Sequence, residues 1–307
     1  MKLRAVALGS ACALALLGTT SGRRAAAADV SLVELLNRAG EYVLAYEDAF
    51  RVVVAEEVYV QRLRATPSGP VQETRRLRSD VVFVRASGTG LPWWLLRDVY
   101  EVDGQLIRDR QARLERVLVE NPATGLARAR AIADEGARFN LGRSFRNFNV
   151  PTLALAFLHP ALQPRFSFEW KGRTAIEGRS FVELAFRELR APSVIRGPAS
   201  RSDVLAAGRV FIHDGSEGTV GRTELVLDLP EEALRTRATL VTEYRPHQAL
   251  ALWVPVEMRE RLQVELGSAS KRSGGVEFVE GMAVYSGFRK ASVTTEEDFR
   301  VPEPDPR

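Results

Sequence analysis

From Arg165 onward, short turn signals cut the chain into β-branched and alternating runs. This punctuation is the feature that most narrows the fold. Lys171-Gly172, Asp214-Gly215, Glu217-Gly218 and Pro246 separate candidate strands at 165–171, 179–190, 208–213, 219–228, 237–246, 249–265 (with a break at Pro255) and 276–294. A parallel pair needs a crossover of a dozen residues or more, and these connections are far shorter. The pattern therefore predicts an antiparallel meander.

The N-terminal half supplies helices and more strands. Ser31 and Glu34 have the spacing of a capping box. Leu32, Leu35, Leu36, Ala39, Tyr42, Val43, Tyr46 and Phe50 follow at three- and four-residue steps, so residues 31–50 are expected to form an amphipathic helix. Alternation then predicts strands at 51–63, 75–86 and 93–102, the last closing on a tight Asp103-Gly104 hairpin. Helices are expected from Leu106 to Glu120, ended by Asn121-Pro122, and along Leu126, Ala129, Ile132, Ala133 and Ala137. Pro151 to Phe157 reads as a short apolar helix, with Leu153 to Leu158 running without a polar break. Ten or so antiparallel strands with three or four helices make an α+β fold. Twist accumulates along such a meander, so the expected architecture is one large curved antiparallel sheet, an open half-barrel, with helices covering its concave face.

The first 28 residues read as a secretory signal. Lys2 and Arg4 precede an apolar run from Ala5 to Leu17, too short for the ~20 residues that span a bilayer. Small residues Ala25 to Ala28 mark the expected cleavage site. The expected organisation is a signal peptide at 1–28, a single domain at 29–300 and a flexible tail at 301–307. The protein is expected to be periplasmic or secreted, with no integral membrane span once the signal is removed.

The full chain has 43 basic and 39 acidic residues. Lys2, Arg4, Arg23 and Arg24 lie in the signal, which has no acid, so the remainder is electrically balanced. That removes the electrostatic ground for a nucleic-acid partner. The only cysteine, Cys12, also lies in the signal, so disulfides and thiolate metal sites are excluded beyond it. No nucleophile elbow, phosphate loop or zinc-protease helix occurs, and His159, His213 and His247 have no ligand spacing. The residues thus predict no enzyme, no cofactor and no metal.

Gly208-Arg-Val-Phe-Ile-His-Asp-Gly215 followed by Gly221-Arg-Thr-Glu-Leu225 resembles a hairpin of the outer-membrane lipoprotein carrier (LolA/LolB-like) superfamily. Tyr244 with Leu252-Trp-Val-Pro-Val-Glu-Met258, and the closing Ala283-Val-Tyr-Ser-Gly-Phe-Arg289, resemble it too. Val54-Ala-Glu-Glu-Val-Tyr-Val-Gln61 and Phe148-Asn-Val-Pro-Thr152 are similar to uncharacterised secreted bacterial proteins. The resemblance implies a curved sheet around an apolar cavity that holds acyl chains. It departs from true carriers in length and in an added N-terminal hairpin region. The expected function is an exported, non-enzymatic binding protein for a lipid or other apolar small molecule. The alternative is an envelope scaffold or protein-interaction domain with a filled core, and a hydrolase ranks last. Phe157 and one of Trp93 or Trp94 are expected to line the cavity mouth. Trp170 and Trp253, on other strands, complete the candidate ligand-binding set.

Overall fold

The structure is a computed structural model. It describes residues 30–50, 53–85, 93–107, 131–196 (apart from 133, 145 and 147), 203–215, 217–230, 234–266, 275–290, 292–294 and 298–300. Helix α1 runs over Leu32–Phe50, followed by strands β1 (Val53–Arg64), β2 (Val71–Arg85), β3 (Trp93–Val102) and β4 (Gln105–Leu106). The short helix α2 spans Leu153–Ala156 and leads through a turn of 3-10 helix into β5 (Phe166–Ile176) and β6 (Arg179–Glu188). Two short strands follow, β7 (Ile195–Arg196) and β8 (Asp203–Val204). Then come β9 (Ala207–His213), β10 (Val220–Pro230), β11 (Leu234–His247), β12 (Leu252–Leu266) and β13 (Val276–Lys290), with β14 (Ser292–Thr294) and β15 (Asp298–Arg300) at the end.

Eleven strands form one open, curved, half-barrel-like sheet in the order β4-β3-β2-β1-β13-β12-β11-β10-β9-β6-β5. Every pairing in it is antiparallel. β1 pairs with β13 from Val53↔Lys290 to Arg64↔Phe278, which joins the N-terminal strands to the meander in one sheet. From Leu32 onward the described residues form a single compact unit.

Two turns follow directly from local chemistry. Asp103 and Gly104 both have positive φ (50° and 83°), as a two-residue hairpin turn with the twist of its strands requires. Glu177 and Gly178 (49° and 76°) do the same between β5 and β6. The turn expected at Lys171-Gly172 is not there: β5 continues through it, and Lys171 is the extra residue of a bulge opposite Leu184 and Glu183. Pro255 likewise does not end its strand. It sits beside a bulge at Val256, where a residue without a donor is tolerated. The expected helix from Leu106 to Glu120 lies almost wholly outside the described residues, and of the next one only residues around 131–137 are described, as helix.

Helix α1 lies on the concave face through Leu35, Ala39, Val43, Tyr46 and Phe50, all buried. Each large apolar side chain buried this way contributes roughly 1.5–3 kcal/mol. Tyr46 stacks on Phe50 (4.5 Å), Phe50 meets Phe83 edge-on (4.4 Å), and Tyr46 tilts against Trp93 (5.8 Å). The start of the helix rests on the β9–β10 turn so closely that a Cβ on Gly218 would lie 2.3 Å from the Arg38 backbone. Gln163 donates to the carbonyls of Leu36 (2.9 Å) and Leu158 (2.6 Å), which ties α1 to the segment after α2.

Candidate functional site

The concave face carries a line of polar residues where alternation alone would place apolar ones. Glu57, Tyr59 and Gln61 of β1 all point inward and are buried. Glu57 is gripped by Arg97 of β3, whose Nη2 donates to Oε1 at 2.8 Å and whose Nε donates to Oε2. Arg97 also donates to Asn149 Oδ1 (3.2 Å) and to its carbonyl (3.0 Å), and lies over the Tyr59 ring. Tyr59 reaches across Gly281 of β13 and donates to Glu260 of β12. A Cβ on Gly281 would lie 2.7 Å from the Tyr59 ring and oxygen, so glycine is what leaves that path open.

Arg146 completes the network from above. Its Nη1 donates to Glu260 Oε2 (3.1 Å) and its Nη2 to Gln61 Oε1 (2.5 Å) and the Leu141 carbonyl (2.7 Å). The Leu141 amide donates to Gln61 Oε1 as well (2.9 Å). The Arg146–Glu260 pair thus fastens the 139–150 strap to the sheet, and Arg97, paired with Glu57 within the sheet, holds it through Asn149. Burial raises the Tyr59 phenol well above its ordinary range, and the Glu260 charge adds to this. Burial pulls Arg97 down, but the charge and hydrogen bonds of Glu57, with Tyr285 and Tyr59, together raise it by more, so its charge is held. Each carboxylate is engaged by a guanidinium. The network ties β1, β3, β12 and the strap together through buried, charge-assisted hydrogen bonds.

The candidate aromatic residues do not meet in one place. Phe157 is fully buried between Phe166 (4.7 Å) and Phe186 (5.6 Å). Trp93 is buried and donates its Nε1–H to Thr152 Oγ1 at 2.8 Å. Trp94 pairs with Val84 on the edge of the sheet, and its side chain lies outside the description. Trp170 is half-buried on β5 with Arg173 over its ring at 5.3 Å. Trp253 stands apart from these, half-buried, with Phe181 edge-on (6.2 Å) and Arg179 over its ring (5.1 Å).

Trp253 opens onto a hollow of about 390 Å³, walled by Ile176, Phe181, Pro246 and Trp253 and rimmed by Glu177, Arg179 and Arg245. The β5–β6 turn makes it by folding back on the ends of β11 and β12, held by the Arg245–Glu177 ion pair (2.6 Å). Phe181 fits because Gly221 has no side chain; a Cβ there would lie 2.4 Å from its ring. A second hollow of about 510 Å³ meets the first at Ile176, Glu177 and Arg245. Its floor is charged: Arg222 bonds Glu243 and lies over Phe211, and Arg259 bonds Glu257. The groove therefore has one end with apolar walls under a charged rim and one ionic end. The sequence carried one clue to it, the Glu177-Gly178 turn, which brings Arg179 and Phe181 up to Trp253.

No protein-family model and no curated protein sequence matches the chain. Solved structures similar to it include the following three. An outer-membrane lipoprotein-sorting protein domain from Vibrio parahaemolyticus is 11% identical, covering 85% of this chain and 95% of its own, with a TM-score of 0.37. A DUF1329 family protein from Desulfovibrio piger is 10% identical, covering 83% and 92%, with a TM-score of 0.33. A LolA superfamily protein from Nitrosomonas europaea is 10% identical, covering 83% and 94%, with a TM-score of 0.27.

The histidines take local roles. His159 pairs with Glu47 (3.3 Å), His213 accepts from the Gly215 amide (3.2 Å), and His247 sits edge-on to Phe288. Among the described residues no group of His, Cys, Asp or Glu is arranged to hold a metal ion, and no helix is long and apolar enough to cross a membrane.

Proposed function

We propose that this chain is an exported, non-enzymatic binding protein, periplasmic or secreted, that shelters an apolar chain in the groove beside Trp253. One observation carries the reading: a hollow of ligand size, walled by Ile176, Phe181, Pro246 and Trp253, that opens beside an ionic floor. Small-molecule sites are typically concave, largely apolar and a few hundred Å³ in volume, with a few polar groups that orient the ligand. An amphiphile matches that division.

Titration with the uncharged fluorescent probe N-phenyl-1-naphthylamine tests this. The expected result is saturable binding to the full mature chain, displaced by a long-chain fatty acid. A brominated fatty acid should quench tryptophan emission, and Trp253→Phe should remove most of that quenching although three other tryptophans remain. Unchanged quenching in that variant would put the ligand elsewhere.

The second reading is an envelope scaffold or interaction domain. It draws on the filled concave side, where Phe157 and Leu158 are fully buried among neighbours of the same chain. Absence of saturable probe binding would favour it.

A further inference from the structure

Two guanidiniums rim the hollow beside Trp253, and they are not in the same state. Arg245 is committed: it pairs with Glu177 (2.6 Å) and Glu243 (3.5 Å) and donates to the Tyr244 carbonyl (2.8 Å). Arg179 has no carboxylate within ion-pair distance among the described residues. It is exposed, and it is held over the face of Trp253 at 5.1 Å. A cation over an indole face is attracted by the ring, and a guanidinium placed there keeps N–H groups available to donate. The residue immediately before it, Gly178, is the second of the tight turn, so its backbone position is set by the hairpin.

Resting on the binding function proposed above, we infer that Arg179 selects an anionic head group, so that the ligand is a single-chain amphiphile ending in a carboxylate or phosphate. The chain lies along Ile176, Phe181 and Trp253, and the head meets the fork of Arg179 at the rim. A guanidinium suits both acids because each offers two oxygens to parallel N–H donors. Glu177 and Glu243 are neutralised by Arg245 and Arg222, so the floor does not repel the head. A cationic head would meet Arg179 directly and be rejected.

Displacement of the uncharged probe by dodecanoate, dodecyl phosphate, dodecanol and dodecyltrimethylammonium separates the outcomes. In the wild type the two acids should displace it at concentrations about tenfold lower than the alcohol, and the cation should be the weakest. Arg179→Gln should bring the acids to the level of the alcohol without lowering the unfolding temperature, because the side chain is exposed. Arg179→Lys should keep much of the preference. The stronger of the two acids identifies the head group. Equal displacement by acid and alcohol in the wild type, or a preference that survives Arg179→Gln, overturns the head-group inference and leaves the binding function standing. Failure of the probe to bind saturably overturns both.

Discussion

Glu56 and Glu57 are chemically identical neighbours with opposite fates. Strand alternation sends one to each face, and Glu57 takes the buried one. It is tolerable there because Arg97, two strands away, covers it with two donors. Removing one partner of a buried pair leaves an uncompensated charge and typically costs about 3–5 kcal/mol, whereas replacing both with apolar groups is often neutral. Arg97→Leu should therefore lose about that much in denaturant unfolding. The double variant Glu57→Leu with Arg97→Leu should recover most of it. Equal losses in single and double variants would mean that Arg97 serves mainly to hold Asn149. Neither the buried glutamate nor its partner on β3 was legible in the sequence, because alternation favours apolar residues on the buried face and no spacing links positions 57 and 97.

Single glycines decide how the elements approach one another. Gly208 on β9 opened the motif that resembles a carrier hairpin, and its role is steric. A Cβ there would lie 1.9 Å from the Glu224 carbonyl of β10 and 2.8 Å from the Phe186 ring of β6. Phe186 in turn supports Phe157, so the contact reaches from the sheet to α2. Gly208→Ala should force β9 and β10 apart and cost about 2 kcal/mol or more, above the usual ~1 kcal/mol of a point change. Thermal unfolding checks it, with Gly104→Ala as a control for positive φ without crowding, since nothing lies within 4 Å of a Cβ at that position. A loss at Gly208 no larger than at Gly104 would contradict the steric reading.

For the molecule as a whole, the interior buries phenols as well as aliphatic side chains. Five of the six tyrosines, Tyr42, Tyr46, Tyr59, Tyr244 and Tyr285, are pushed above their ordinary range, in every case mainly by burial. The sign of the linkage follows. Below a pH of about 10 the phenols are protonated in both folded and unfolded chains, and their contribution is fully present. Above it the unfolded chain releases protons that the folded chain keeps, so stability falls by up to about 1.4 kcal/mol per tyrosine per pH unit. Alkaline unfolding should be cooperative, with most phenolate absorbance appearing together with loss of structure. A gradual tyrosine titration with the fold intact would refute this.

What the sequence determined by itself is the class of fold and most of its elements. Helix α1, the Asp103-Gly104 turn and the antiparallel meander all rest on interactions within a few residues: periodicity, positive φ, and connections too short for a crossover. Where the sequence reading placed a turn at Lys171-Gly172, pairing with β6 absorbed Lys171 as a bulge and kept Gly172 in the ladder, because ladder pairing outweighs a local turn preference. The groove and the buried network were decided only by the tertiary structure. Trp93, Phe157, Trp170 and Trp253 are alike in sequence as aromatic residues in apolar runs. Strand order and sheet curvature bury the first two, leave Trp170 half-buried beside Arg173, and bring only Trp253 against the β5–β6 turn, where Phe181 and Arg179 meet it. That meeting depends on contacts between residues some seventy positions apart, which no local pattern encodes.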